Sequence, residues 1–267
     1  MRRKVLITGA AGKVGGCLVD GLRVNGRYDV IAADLRGDAE RGITMLDVTD
    51  AARLKELTRG VDTVVHCAWM KDEEDFLGKV LPVNVTGAYH LYEAARLNGV
   101  RRIVFASSNH ATGYYKLDEK VEPTDPYRPD SFYGLSKCYI ELLGRLYADT
   151  YGVSSFNVRI GNFAGDNRPH SQRAARIWIS CRDLVRLVEC CIEADDHMKF
   201  LPLYGTSANE GNYYDIGYLK PLIGYDPRDN GGVWLHEAEA NEHLLKQDES
   251  EYQGGSSLNK RQPAEPG

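Results

Sequence analysis

Val5-Leu6-Ile7-Thr8-Gly9-Ala10-Ala11-Gly12-Lys13-Val14-Gly15 sets the reading of the whole chain. The apolar run at its start is a buried strand, and the amphipathic stretch that follows to Leu22 is a helix. Between them stand Gly9, Gly12 and Gly15, spaced three apart, with Lys13 and Val14 inside the loop. Without side chains the backbone turns tightly there and lets a pyrophosphate approach, while the N–H groups of the helix start face the anion. A lone glycine triplet says little; its place directly after a first strand gives it weight.

The next runs continue the alternation. Val30-Ile31-Ala32-Ala33 is a second strand closed by Asp34, with Leu35 and Arg36 after it. An acid here accepts hydrogen bonds from an adenosine ribose and repels a 2′-phosphate, which favours NAD; Arg36 keeps NADP open. A third run ends at Asp47-Val48, where a short acid either meets the adenine edge or makes a plain turn. Asp62 to Ala68 is the fourth strand. The small residues Cys67 and Ala68 at its end, with Trp69 beyond, leave room for a nicotinamide, and His66 packs inside the sheet. The run Trp69 to Phe76, holding Lys71 among four acids, is a solvated loop. A helix with apolar Val85, Ala88, Leu91, Tyr92 and Ala95 follows and stops at Asn98-Gly99, with Asn84 near its start as a polar partner inside the fold.

The fifth strand, Arg102 to Ala106, runs into Ser107-Ser108-Asn109-His110. Hydroxyls, an amide and an imidazole thus meet at a strand C-terminus, where open α/β sheets place their ligands; a turn of Ser and Asn is the plain alternative. A loop through Pro123, Pro126 and Pro129 delivers the chain to Phe132-Tyr133-Gly134-Leu135-Ser136-Lys137. Tyr133 and Lys137 are four apart and share a helix face. A free phenol, with a pKa of about 10, is a poor base near neutrality; a fixed ammonium one turn away favours the phenolate. That lysine is also placed to hold a ribose hydroxyl. Beyond, Ser155 to Ile160 is a sixth strand, Ser180 with Asp183 a capping box for a helix through Ala194, Lys199 to Tyr204 a strand, and Leu219 to Ile223 a short helix.

Strands alternating with helices predict an α/β fold with a parallel, doubly wound sheet. Residues 1–160 form the dinucleotide-binding core including the Tyr133 helix. Residues 161–245 form a small substrate-binding portion interleaved with it, and 246–267, polar and rich in Gly, Ser and Pro, a poorly ordered tail.

Together the glycine triplet, Asp34, Ser107-Ser108 and the Tyr133/Lys137 pair resemble the extended branch of the short-chain dehydrogenase/reductase family, within the epimerase/dehydratase superfamily. Phe105 to His110, Gly113-Tyr114-Tyr115, Tyr133 to Cys138, Val158 to Gly161 and Trp178-Ile179-Ser180 resemble the uronate dehydrogenases, and so does the ending Gln253-Gly254-Gly255. The resemblance implies that Tyr133 deprotonates the anomeric hydroxyl of a hexuronic acid (galacturonate or glucuronate), with hydride passing from C1 to NAD⁺ to give an aldaric acid lactone. It implies that Lys137 binds the nicotinamide ribose, that Leu35, Val48, Trp69 and Asn162 belong with the cofactor, and that Ser108, Asn109 and His110 line the sugar. It gives Arg173 the carboxylate, for which a guanidinium fork is suited.

Two positions depart from that pattern: Lys71 stands where a sugar-contacting Ser is expected, and Asn162 replaces another Ser. The run Glu189 to Asp195 with Gly224 to Pro227 resembles an NAD-dependent glucose-6-phosphate dehydrogenase instead, and Lys71 with Arg173 suits a phosphate equally well. Glucose 6-phosphate or a neutral aldose therefore remain alternative substrates. A nucleotide-sugar epimerase or dehydratase, which needs a larger C-terminal region, and a dinucleotide-binding regulator without turnover, stand further off.

Composition bounds the rest. The 267 residues, 43% hydrophobic and 27% charged, suffice for one large core. A formal net charge of −5 with scattered Lys and Arg argues against nucleic-acid or membrane partners. The six cysteines, without a Cys-x-x-Cys pair, are expected as buried reduced thiols in a cytoplasmic protein, and the seven dispersed histidines predict no metal. A homo-oligomer through the helix carrying Tyr133 is implied by the resemblance.

Overall fold

The computed structural model describes residues 2–70, 75–240, 245 and 250–255. Its centre is one parallel sheet of seven strands in the order β3-β2-β1-β4-β5-β6-β7: β1 (Arg3–Thr8), β2 (Tyr28–Asp34), β3 (Ile43–Met45), β4 (Thr63–His66), β5 (Arg102–Ser108), β6 (Ser154–Ile160) and β7 (Phe200–Gly205). The chain starts in the middle, winds outward to β3, returns past β1 and winds to β7. Both faces are covered by helices, and so the strands are apolar on both sides, as Val5, Leu6 and Ile7 of β1 show.

On one face α1 (Lys13–Val24) packs with α6 (Cys181–Glu193) over Val5, Ile7, Phe156 and Val158. The other face carries α2 (Ala51–Leu57), α3 (Gly87–Leu97) and α4 (Phe132–Tyr151), over Leu6, Val64, Ile103 and Phe105. Short helices α5 (Gln172–Arg176), α7 (Leu219–Ile223) and α8 (Gly232–Ala240) complete the C-terminal part. Because β7 extends the same sheet and α6 packs on α1, the region beyond residue 160 shares the core of the first half.

The helix entering α3 begins earlier than the apolar spacing suggests, at Phe76, and runs to Thr86 in wide turns. There backbone N–H groups reach five residues back, as from Val80 N to Asp75 O (3.3 Å). Pro82 explains the widening: its ring has no N–H and would strike the carbonyl four residues before it in a regular helix. The expected capping box at α6 is half present. Ser180 Oγ accepts from Asp183 N (3.0 Å), but the Asp183 carboxylate accepts from Ser207 Oγ, Arg228 N and Asp229 N instead of turning back.

Two expectations are corrected here. Cys17 and Cys181 form a disulfide, with a Cα–Cα distance of 6.1 Å, tying α1 to the start of α6; Cys67, Cys138, Cys190 and Cys191 are free thiols. A pair separated by 164 residues leaves no local signal, because only the packing of the two helices brings it together. Within the stretch expected as a loose tail, residues 250–255 are packed on the fold, where Tyr252 bridges Lys116 and Gln253 is fully buried; 246–249 and 256–267 lie outside the described residues. Among the described residues no helix is long and apolar enough to cross a membrane, and no group of three or more His, Cys, Asp or Glu is arranged to hold a metal ion.

Candidate active site

A cleft of about 630 Å³ runs along the C-terminal ends of β1, β2, β4, β5 and β6. One end is the glycine loop. Gly9 takes φ +72°, and a β-carbon on it would lie 2.5 Å from Ala68 N. A β-carbon on Gly15 would lie 2.1 Å from Gly9 O, so the loop folds on itself and against β4 only with glycine at both places. Gly12 N donates to Gly9 O (3.1 Å) and Gly16 N to Gly12 O (2.8 Å), which starts α1 at the loop. Asp34 braces this end: its carboxylate accepts from Ala11 N and Arg36 N, each at 3.0 Å. At the next strand end Asp47 Oδ1 accepts from Thr49 N (2.9 Å) and Thr49 Oγ1 (2.8 Å).

Each residue assigned to the cofactor from sequence lines this cleft: Gly9, Gly12, Lys13, Val14, Gly15, Asp34, Leu35, Asp47, Val48, Cys67, Ala68, Trp69, Lys137 and Asn162. Arg36, Met70, Val83 and Phe163 line it too. Burial pushes the Cys67 thiol up to about 12, which makes it a wall rather than a nucleophile. His66 lies wholly inside the sheet with Nδ1 2.8 Å from Thr8 Oγ1; burial, then the charge of Lys137, pulls it down to about 3.

The other end is organised by the start of α4. Ser131 Oγ accepts from Gly134 N (3.0 Å), so the helix begins where Tyr133 falls in its first turn. Gly134 presses on the turn after β5, where a β-carbon would lie 2.3 Å from His110 O. That close approach brings the half-buried Tyr133 ring within 5.5 Å of the His110 ring, and Trp69 lies 4.1 Å away on a tilt of 30°. Asn84, buried, holds Trp69's neighbour in place: it accepts from Met70 N (2.7 Å), donates to Met70 O (2.9 Å) and donates to Ser136 Oγ (3.3 Å).

Lys137, only 2% exposed, donates from Nζ to Ala106 O (2.7 Å). Its ammonium lies over the rings of Phe105 (4.6 Å), Trp69 (5.2 Å) and Tyr133 (5.4 Å). Burial pulls its pKa down to about 7, with the Glu141 carboxylate opposing the shift.

Ser108 and His110 stand on the cleft wall beside Tyr133. Ser108 Oγ accepts from His110 N (3.2 Å), and His110 Nδ1 lies 2.6 Å from Asp130 Oδ2, an acid whose side chain is wholly buried. Asn109 and Arg173 do not line this cleft. The Asn109 amide, oriented so that both of its ends are satisfied, donates to the carbonyls of Ile160 (3.3 Å) and Gly161 (3.2 Å). Arg173 donates from Nε (2.8 Å) and Nη2 (2.6 Å) to Gln253 O. Lys71 lies outside the described residues.

Sequence patterns passed over three supports. Asp130 sits just before the helix cap, where it reads as a turn residue. Glu141 and Arg159, at 0% and 1% side-chain exposure, pair at 2.9 Å beneath the cleft, where Glu141 also accepts from Ser107 Oγ (2.5 Å) and Tyr127 OH (3.1 Å). The spacing of Lys137 and Glu141 on one face of α4 was the available signal for that strut.

A model of the NAD dependent epimerase/dehydratase family matches residues 5–184. The chain belongs to that family. Within it, the chain is 37% identical to a uronate dehydrogenase of Pseudomonas putida, covering 95% of this chain and 94% of the relative. It is 34% identical to an NAD-dependent glucose-6-phosphate dehydrogenase of Haloferax volcanii, covering 90% and 98%. A crystal structure of uronate dehydrogenase from Agrobacterium tumefaciens, a tyrosine-to-alanine mutant complexed with NAD, superposes with a TM-score of 0.87 at 32% identity, covering 98% of each chain.

Within the family frame, the loop around Gly9–Gly15 fits the pyrophosphate of NAD: β-carbons at Gly9 or Gly15 would strike Ala68 N or Gly9 O, so only glycine lets the backbone fold this tightly at the start of α1. Asp34 fits its adenosine ribose, with carboxylate oxygens at the mouth of β2.

Proposed function

We propose that this protein is an NAD-dependent sugar dehydrogenase that oxidises C1 of a hexuronic acid, galacturonate or glucuronate, to an aldaric acid lactone. The observation that carries the reading is the meeting of Ser108, His110, Tyr133 and Lys137 on one wall of the cleft whose far end is the glycine loop. The near full-length similarity to uronate dehydrogenases supports the substrate.

In this reading the glycine loop and Lys13 hold the pyrophosphate, Asp34 and Leu35 the adenosine ribose, Asp47 and Val48 the adenine. Cys67, Ala68, Trp69 and Asn162 shape the nicotinamide end. NAD⁺, when bound, supplies the acceptor for the hydride leaving C1. Tyr133 takes the proton from the C1 hydroxyl. Lys137 stabilises the phenolate through its charge and holds the nicotinamide ribose. Ser108 donates its hydroxyl hydrogen to the sugar oxygen at the reacting carbon. With Nδ1 committed to Asp130, His110 offers Nε2 to a sugar hydroxyl and keeps the ring beside Tyr133. Arg173 meets the carboxylate. Exposed Leu135, Leu142 and Leu146 on α4 support a homo-oligomer through that helix.

Purified protein with NAD⁺ and a panel of galacturonate, glucuronate, glucose, arabinose and glucose 6-phosphate tests this by NADH absorbance. Turnover confined to the uronates is the expected result. Turnover of glucose 6-phosphate with none on the uronates would replace the substrate and keep Tyr133 and Lys137; the similarity to the Haloferax volcanii enzyme makes that the second reading.

A further inference from the structure

The three residues Gln253-Gly254-Gly255 lie far from the glycine loop in sequence, yet they touch Arg173 on one side and Asp130, the partner of His110, on the other. Gln253 is fully buried and locked by its own side chain: Nε2 donates to Lys116 O (2.9 Å) and Glu119 O (2.8 Å), and its backbone N donates to Tyr115 O (2.9 Å). Its carbonyl therefore has a fixed direction, and it accepts both Nε and Nη2 of Arg173. Gly255, at φ +69°, lies flat on that guanidinium; a β-carbon there would be 2.8 Å from Arg173 Cζ and Nε. Gly254 is pressed on Asp130, where a β-carbon would fall 1.8 Å from Oδ2, the same oxygen that meets His110 Nδ1.

A guanidinium has two edges that present paired donors, Nε with one terminal nitrogen and the two terminal nitrogens together. In Arg173 the first edge is committed to Gln253 O, which leaves the second for an anion. We infer that Gln253–Gly255 is a positioning element of the sugar site, which turns Arg173 end-on toward the substrate's anionic group and so sets the preference for a charged sugar over a neutral one. The inference rests on the proposed function for its substrate and extends it to a segment outside the cleft. Through Gly254 and Asp130 the same turn backs His110, so the two ends of the sugar are gripped from one anchor.

The test uses Gln253→Met, which keeps the bulk and removes both Nε2 donors, and Gly255→Ala, which intrudes on the guanidinium while leaving the Gln253 contacts intact. Each is assayed on uronates, glucose 6-phosphate and neutral sugars, with NAD⁺ Kd and Tm measured alongside. Expected is a rise of about tenfold in KM for the anionic sugar that the wild type oxidises, the loss of roughly one charge-assisted contact. kcat and NAD⁺ Kd, and the KM of any neutral sugar that the wild type oxidises, should stay within about twofold. In an Arg173→Ala background neither variant should add anything. An unchanged KM, an equal rise for neutral sugars, or full additivity with Arg173→Ala would overturn the inference. If the wild type oxidises glucose 6-phosphate and not uronates, the uronate reading falls while the variant-to-wild-type ratio on the phosphate still decides the inference. If it oxidises no anionic sugar, both fall.

Discussion

On the cofactor side of the cleft, every wall residue from Gly9 to Asp47 stands at a strand's C-terminal end, in the turn just after it or in the first turn of the helix that follows. The proposed sugar side draws Ser108 and His110 from the end of β5 and the turn after it, Tyr133 from the start of α4, Arg173 from α5 and Gln253 from the C-terminal stretch. The first side is a property of the sheet: parallel strands bring their ends to one edge, and helix starts follow. The second is a property of tertiary packing away from the strand ends, held by contacts such as Arg173–Gln253 that cross 80 residues. A dinucleotide site built from the sheet tolerates change elsewhere; a sugar site built across the fold is adjustable piece by piece. Similarity to both a uronate and a glucose-6-phosphate dehydrogenase fits that division.

The sharpest way to break the comparison is at its junction. Tyr133→Phe removes the proposed base and leaves the ring that faces Trp69, so kcat should fall by about a thousandfold or more while NAD⁺ Kd moves little. Equal losses in both, measured by single-turnover kinetics and cofactor fluorescence, would mean that Tyr133 serves the fold and not the chemistry. Gly15→Ala should do the reverse. Its β-carbon would sit 2.1 Å from Gly9 O, and the displacement should cost about 1–3 kcal/mol, weakening NAD⁺ by roughly ten- to a hundredfold. The sugar KM at saturating NAD⁺ should hold. A sugar KM that rises as steeply as the NAD⁺ Kd would show that the two ends are not separable.

The same division governs how much was legible in the sequence. The glycine spacing, Asp34 and the strand ends from Asp47 to Trp69 are local signals with local geometry, and each lands on the cleft. Tyr133 and Lys137 are legible because four residues on a helix make one face. Arg173 was assignable only by resemblance, and its partner Gln253 lay in a stretch read as a tail. Composition misled there: Gly254 and Gly255 look like linker residues, whereas each is small because Asp130 or Arg173 occupies the space beside it. The Cys17–Cys181 bond was hidden for the same physical reason, since the pair is separated by 164 residues.

Lys137 offers the smallest and most direct measurement of the junction, because it is buried between the two ends. In the folded protein its ammonium is pulled down to about 7, while the unfolded chain keeps the ordinary value of 10.5. Below about pH 7 both states carry the proton and this group adds no slope. From about 7 to 10.5 the unfolded chain binds a proton that the folded protein does not, so stability should rise with pH across that window. Lys137→Met cannot bind the proton in either state and should lack the increment. Urea unfolding of both proteins at several pH values from 6.5 to 10 reads the difference. A wild-type-minus-mutant stability that is flat in pH would mean that the aromatic cage of Phe105, Trp69 and Tyr133 keeps the ammonium charged at its ordinary pKa. Lys137 would then act on Tyr133 as a permanent cation, and the pH dependence of turnover would belong to the phenol alone.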